Sequence, residues 1–177
     1  MLDTLITSKT RVKLLLKFFL NSNNASYLRN LSTEFNESTN AIRGELNRFE
    51  QAGLLESFTN GNKKMYKANV THPLFNDIHN ILLKHTGIDQ IIDRILNKIG
   101  EMKQAWVVGE FAKGNDSTII DLILVGAGID TEYLNRLIEK TEKLIDRRIR
   151  YIILSEKEFP GYINNFPEAL LFFQCEE

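Results

Sequence analysis

The stretch from Asn36 to Ala68, NESTNAIRGELNRFEQAGLLESFTNGNKKMYKA, constrains the fold more tightly than any other part of the chain. Ser38 is placed to cap a helix by accepting a hydrogen bond from a free backbone N–H of the first turn, and Ile42, Leu46 and Phe49 then recur as one buried stripe. At ~100° per residue, the opposite side carries Asn40, Arg43, Gly44, Asn47 and Arg48 with no large apolar residue among them. Gly53 ends the helix. Leu54 to Phe58 reads as a strand, Asn60-Gly61-Asn62 as a turn and Lys63 to Ala68 as the return strand. The helix thus runs straight into a hairpin with Lys63 and Lys64 beside its tip and Lys67 beyond.

An amidic and cationic helix face next to a cationic hairpin has the chemistry of a duplex DNA reader. Asparagine pairs with an adenine edge, arginine forks onto guanine or phosphate, and lysine on a loop neutralises phosphate. Polar outer faces are common on solvated helices, so it is the hairpin and the Gly53-Leu54-Leu55 link that favour nucleic acid over plain solvation. Ser38 to Lys67 resembles the recognition helix and wing of winged helix-turn-helix regulators of the ArsR or MarR type, most closely over Leu46-Asn47-Arg48-Phe49-Glu50-Gln51-Ala52-Gly53-Leu54-Leu55. The resemblance implies major-groove contact by helix 38–50, through Thr39, Asn40, Arg43, Asn47 and Arg48, and phosphate contact by the 58–67 wing through Lys63 and Lys64.

Upstream, Ser8 caps an expected helix from Lys9 to Leu20 with Val12, Leu15, Leu16 and Phe19 on one side, after a short lead-in from Met1 to Ile6. Ala25 to Phe35 reads as a second helix through Leu28, Leu31 and Phe35, and Asn36-Glu37 as the turn before the third. Charge divides along the same line. Residues 1–70 hold 10 Lys+Arg against 6 Asp+Glu, net +4, and residues 71–177 hold 12 against 17, net −5. A basic module joined to an acidic one suits a nucleic-acid-binding part and a part with another task. Cys175 is the sole cysteine, which excludes an intrachain disulfide and a thiolate zinc cluster and favours the cytoplasm. The run Leu14 to Leu20 is broken by Lys17 and falls well short of the ~20 residues of a membrane helix. His72, His79 and His85 do not share one helical face at ligand spacing, so no metal site is expected.

After the wing, Thr71-His72-Pro73 restarts the chain, and Leu74, Ile78, Ile81, Leu82 and His85 mark an amphipathic helix to about Lys84. In winged-helix regulators a helix here often forms the dimer seam; packing within its own domain is the other reading. Gly87 interrupts, and Asp89 to Met102 reads as a further helix through Ile91, Ile92, Ile95, Leu96 and Ile99. Strands follow at Ala105–Val108, Ile119–Val125 and Ile149–Leu154, with a loop Gly109–Thr118 and a helix Thr131–Ile145; the near-continuous apolar strands imply burial on both faces. The apolar tail, with Phe159, Tyr162, Ile163, Phe166 and Leu170 to Phe173, is expected to pack on this domain by default, or across a dimer.

Trp106-Val107-Val108-Gly109-Glu110-Phe111-Ala112-Lys113-Gly114, followed by Ile120-Asp121-Leu122-Ile123-Leu124-Val125, resembles the nucleotidyltransferase domain shared by DNA polymerase beta and small bacterial nucleotidyltransferases. The departures are chemical. Glu110 stands where the family has a phosphate-approaching serine, Asp121 is the single survivor of an Asp-x-Asp pair, and Arg148 and Arg150 lie on the strand that normally brings the third carboxylate. Phosphoryl transfer in this family needs two Mg²⁺ held by several carboxylates. The implication is an α+β chain: a winged helix-turn-helix domain (1–70), a linker or dimerisation helix (71–87) and a small α/β nucleotidyltransferase-like domain (88–177) without transferase activity. Gly109, Glu110, Lys113 and Asp121 form a ligand-binding candidate set, and no cofactor is expected. The expected partners are double-stranded DNA, a second copy of the chain and a small-molecule or protein effector, with no membrane. The alternative is an active Mg²⁺-dependent nucleotidyltransferase using Asp121 with Asp116; a third reading is a pure interaction module.

Overall fold

The computed structural model describes residues 5–99 and 102–175, so the expected lead-in lies outside it except for Leu5 and Ile6. Among the described residues the chain is mixed α+β, with eight helices and two sheets, and it divides into compact units at 1–85 and 86–177. No described helix is long and apolar enough to cross a membrane.

In the first unit, α1 (Lys9–Leu15) starts as expected, with Ser8 Oγ accepting from the Arg11 N–H at 3.2 Å. From Leu16 to Leu20 the winding widens to a π-helix, and the one-sided stripe is lost: Leu14, Phe18 and Leu20 are buried with Val12, Leu15, Leu16 and Phe19. The second expected helix is corrected at its start. Ala25–Tyr27 is a strand, β1, and α2 spans only Leu28–Phe35. Three residues carry no legible periodicity; β1 exists because β3 offers it a ladder, pairing Ser26 with Tyr66 and Tyr27 with Met65. Asn36 closes α2 in the left-handed region (φ 53°), and Ser38 Oγ accepts from the Ala41 N–H at 3.2 Å to open α3 (Thr39–Gln51). β2 (Leu55–Asn60) and β3 (Lys63–Ala68) form the hairpin, giving the antiparallel order β1-β3-β2. α4 (Phe75–Thr86) follows; His79 has a ring nitrogen 2.7 Å from the Phe19 carbonyl oxygen, and His72 Nδ1 accepts from the Leu74 N–H at 3.1 Å.

Ion pairs brace α1 and the π-helical turns after it against α2, α3 and the turn between them. Lys17 reaches Glu34 at 2.8 Å, Lys13 reaches Glu37 at 2.7 Å, and Arg11 grips Glu45 with Nε at 3.0 Å and Nη2 at 3.2 Å. Glu45 is 7% exposed and lies on the buried side of α3 beside Ile42, Leu46 and Phe49. Burial pushes the Glu45 carboxyl up, but Arg11, the Ser8 hydroxyl and Arg48 together outweigh it and hold it below its ordinary 4.5; Glu37 is held low in the same sense, burial being outweighed by Lys13 and Thr10. A carboxyl depressed on folding adds stability above its unfolded value and loses it as pH falls through the folded one. The first unit's melting midpoint is therefore expected to be flat above about pH 5 and to fall below about pH 4.5. Glu45→Gln should lower the neutral-pH midpoint and flatten that acid slope, as read by calorimetry from pH 3 to 7; an unchanged slope would deny Glu45 this role.

In the second unit, α5 spans Ile88–Arg94, then a 3-10 turn Leu96–Lys98. The expected helix to Met102 is corrected, because β4 (Met102–Val108) pairs along the eight-residue β5 (Ile119–Gly126) as far as Met102 opposite Gly126. A long-range ladder wins over the local helical pattern. The expected loop after β4 begins with one helical turn, α6 (Gly109–Ala112). α7 (Thr131–Ile145) has the expected bounds, capped by Asp130 on the Tyr133 N–H at 3.0 Å, and leads to β6 (Arg148–Leu154), which lies parallel to β5. The tail supplies α8 (Phe159–Ile163) and β7 (Leu170–Gln174), an unforeseen strand antiparallel to β4, so the sheet order is β6-β5-β4-β7. Trp106, Phe159, Tyr162, Ile163 and Phe166 pack over Val108, Ile123, Val125 and Leu154 on one face. On the other, Tyr151 donates to Asn135 Oδ1 of α7 at 2.8 Å. β5 is buried on both faces from Leu122 onward, as expected, whereas the edge strand β6 leaves Arg150 and Ile152 exposed.

Candidate nucleic-acid interface and the Asp121 cleft

The inward stripe of α3, Ile42, Leu46 and Phe49, is buried, so the opposite face is presented outward: Thr39, Asn40, Arg43, Gly44, Asn47 and Arg48 are all exposed. The five helix candidates, Thr39, Asn40, Arg43, Asn47 and Arg48, thus share one helix surface with Gly44 among them. Arg43 Nη1 donates to Asn40 Oδ1 at 3.2 Å, a neutral partner that leaves the full guanidinium charge on display. Arg48 bends back to Glu45 at 3.1 Å while staying 67% exposed, which joins it to the brace under the helix. Glu45 was recoverable from the sequence, since Ile42, Glu45, Leu46 and Phe49 fall at i, i+3, i+4 and i+7; its charge argued for the outside, and Arg11 is what lets it stay in.

The wing lysines differ from one another. Lys63 Nζ sits 4.3 Å from the centroid of the Tyr27 ring, a contact that leaves its charge unneutralised. Lys64 donates to Glu50 Oε2 at 2.7 Å, and Ser57 donates to the other Glu50 oxygen at 2.5 Å. The pair raises the Lys64 pKa and lowers that of Glu50, through their shared hydrogen bond first. Lys67 lies 3.6 Å from Glu56 across the ladder. Helix and wing therefore present Arg43 and Lys63 against neutral groups, with Arg48, Lys64 and Lys67 in ion pairs.

In the second unit the four ligand candidates separate. Asp121 on β5 faces Arg150 directly across the parallel ladder and accepts its fork, Nε at 2.7 Å and Nη2 at 3.0 Å. Gly109, at φ +71°, lies against the same carboxylate, where an added Cβ would come 2.8 Å from Asp121 Oδ2. Asp121, Gly109 and Arg150 line a cleft of about 320 Å³ walled by Ile123, Ile152, Tyr162 and Phe166. Glu110 and Lys113 do not line it. Glu110 turns into its own loop, pairing with Lys113 at 3.1 Å and accepting from Asn115 Nδ2 at 2.9 Å. Asp116 is engaged by Arg147 at 2.8 Å, whose guanidinium also donates to the Ser117 carbonyl and stacks over Phe111.

This donor set does not fit a magnesium pair. A dication pair needs several carboxylates converging on it, whereas Asp121 is the one carboxylate among the described residues lining this cleft and Asp116 pairs with Arg147 outside it. Arg150 supplies beside Asp121 the positive charge that a metal would otherwise bring.

No protein-family model and no curated protein sequence matches the chain. Solved structures show partial likeness. Reduced HlyU from Vibrio cholerae N16961 is 17% identical over 47% of this chain and 82% of its own, with a TM-score of 0.37. A candidate transcriptional regulator for arsenical resistance is 22% identical over 52% and 91%, with a TM-score of 0.32. A candidate nucleotidyltransferase from Sulfolobus solfataricus is 20% identical over 56% and 88%, with a TM-score of 0.36. Each likeness spans about half of this chain.

Proposed function

We propose that the chain is a cytoplasmic, homodimeric DNA-binding transcriptional regulator of winged helix-turn-helix plan, with α3 in the major groove and the β2–β3 wing on flanking phosphates. The domains are 1–70, a connecting helix in 71–87, and a nucleotidyltransferase-like module at 88–177 that senses an effector and transfers nothing. One observation carries the reading: α3 is locked from behind by its apolar stripe and the Glu45–Arg11 brace, while its whole outward face is short polar side chains and arginine. A rigid helix with a bare cationic and amidic face is what base-edge reading requires. Leu74, in the turn just before α4, at 53% exposure and Ile81 on α4 at 45% support a dimer seam there. The transferase alternative is disfavoured by the separate arginine partners of Asp121 and Asp116.

The test is selection from a randomised duplex library by the full chain, followed by anisotropy titration of the enriched duplex against a mixed-sequence one. Enrichment of a single motif, preferred at least 10³-fold as specific sites are, is the expected result; absence of any enriched motif defeats the reading. The Lys64–Glu50 pair adds a directional prediction. Removing the acid releases a lysine to phosphate, so Glu50→Gln should tighten DNA binding several-fold and steepen the salt slope by up to about 0.9. Equal or weaker binding by that variant would mean that Lys64 does not face the phosphates.

A further inference from the structure

Gly44 is the sixth residue of the thirteen in α3 and stands in the middle of its outward face. Glycine weakens a helix interior relative to alanine, because it loses more backbone freedom on folding. Nothing among the described residues explains its presence there, since a Cβ built at Gly44 meets no described atom within 4 Å and the backbone is not in the left-handed region. Gly87 and Gly109, by contrast, each lie against a side chain that leaves no room for a Cβ.

The neighbours on that face are informative. Asn40 precedes Gly44 by one turn and Asn47 follows it by three residues, so all three lie on one strip, with Arg43 alongside. Asparagine carries its amide only two bonds beyond Cα. An arginine or glutamine can span a gap to a base edge, but two asparagines reach one only if the helix backbone comes close to the groove floor. A side chain at position 44, between them, would hold it off by about the length of a carbon–carbon bond, ~1.5 Å.

We infer that Gly44 is a seating point at which duplex DNA packs against bare α3 backbone, setting the depth at which Asn40 and Asn47 meet adenine edges. This deepens, and rests on, the assignment of α3 as the DNA-contacting helix. The class of ligand is double-stranded DNA, and the contact at Gly44 is apolar, to a thymine methyl or a deoxyribose edge, because bare Cα and peptide offer no charge.

The experiment compares wild type, Gly44→Ala, Arg43→Ala and the exposed-helix control Gln51→Ala on the duplex enriched above and on a mixed-sequence duplex, with thermal midpoints measured in parallel. Gly44→Ala should raise the first unit's midpoint by about 2–8 °C and still lose about ten-fold or more in affinity for the enriched duplex. Binding to the mixed-sequence duplex should change less than two-fold, and Gln51→Ala should match wild type on both. A variant more stable and yet worse at binding cannot be explained by misfolding. Undiminished affinity in Gly44→Ala, with Arg43→Ala impaired, overturns the seating role and leaves the DNA assignment standing. If neither variant changes affinity, the assignment of α3 as the DNA-contacting helix falls and the seating role with it.

Discussion

Gly87→Ala is expected to destabilise the second unit by about 2–5 kcal/mol, combining the left-handed backbone cost for an L-residue with overpacking. Gly87 sits between α4 and α5 at φ +84°, its carbonyl accepting the Gln90 and Ile91 N–H groups at 3.1 and 3.3 Å. An added Cβ would fall 2.6 Å from Ile145 Cγ2 and 2.7 Å from Ile145 Cβ. The second contact decides the severity. Truncating Ile145 to alanine removes Cγ2 but keeps Cβ, so no side-chain rotation or trimming relieves the clash, and the packing of α5 on α7 has to open. Against a typical domain stability of about 5–15 kcal/mol, the loss should lower the second unit's calorimetric midpoint by about 10 °C or more. A midpoint within 2 °C of wild type, roughly what a surface change produces, would show that the approach to Ile145 is looser than described.

Arg43→Ala should cost more DNA affinity than the removal of any other charge on α3, a loss of about ten-fold or more, in line with the ~1–3 kcal/mol of a forked base contact. The reason lies in its partners. Arg48 shares its charge with Glu45 and Lys64 with Glu50, whereas Arg43 leans on the neutral Asn40 and keeps a full charge to offer. Anisotropy titrations at several salt concentrations separate the two ways it could act. If Arg43 holds a phosphate, alanine flattens the slope of log K against log salt by about 0.9 and Arg43→Lys restores it. If it forks onto guanine, alanine costs affinity for the enriched duplex with little change in slope, and lysine recovers little of the specificity, because a point charge does not reproduce the planar fork. A slope and an affinity both equal to wild type would remove Arg43 from the interface.

The amino-acid sequence was most legible where structure is local. The Ser38 cap, the Ile42-Leu46-Phe49 stripe, the return strand Lys63–Ala68 and the bounds of α7 follow from spacing and turn chemistry alone, because each is made within a few residues of itself. The polar face of α3 was legible for the same reason, as the complement of the stripe. What stayed hidden was whatever needs a partner far along the chain. β1 and β7 are strands only because β3 and β4 have open edges, and the start of β4 is decided by the length of β5.

The same division runs through the candidate sites. Arg150 was visible as a residue in the wrong place for a metal, but its fork onto Asp121 required the parallel register of β5 and β6, twenty-nine residues apart. Glu50 looked like an ordinary helix carboxylate until the hairpin folded back and brought Lys64 to it across fourteen residues. Periodicity, caps and turn residues act over one or two turns and are written in order along the chain. Charge pairing, strand neighbours and the depth of a cleft depend on which distant segments meet, and only the packed molecule determines that.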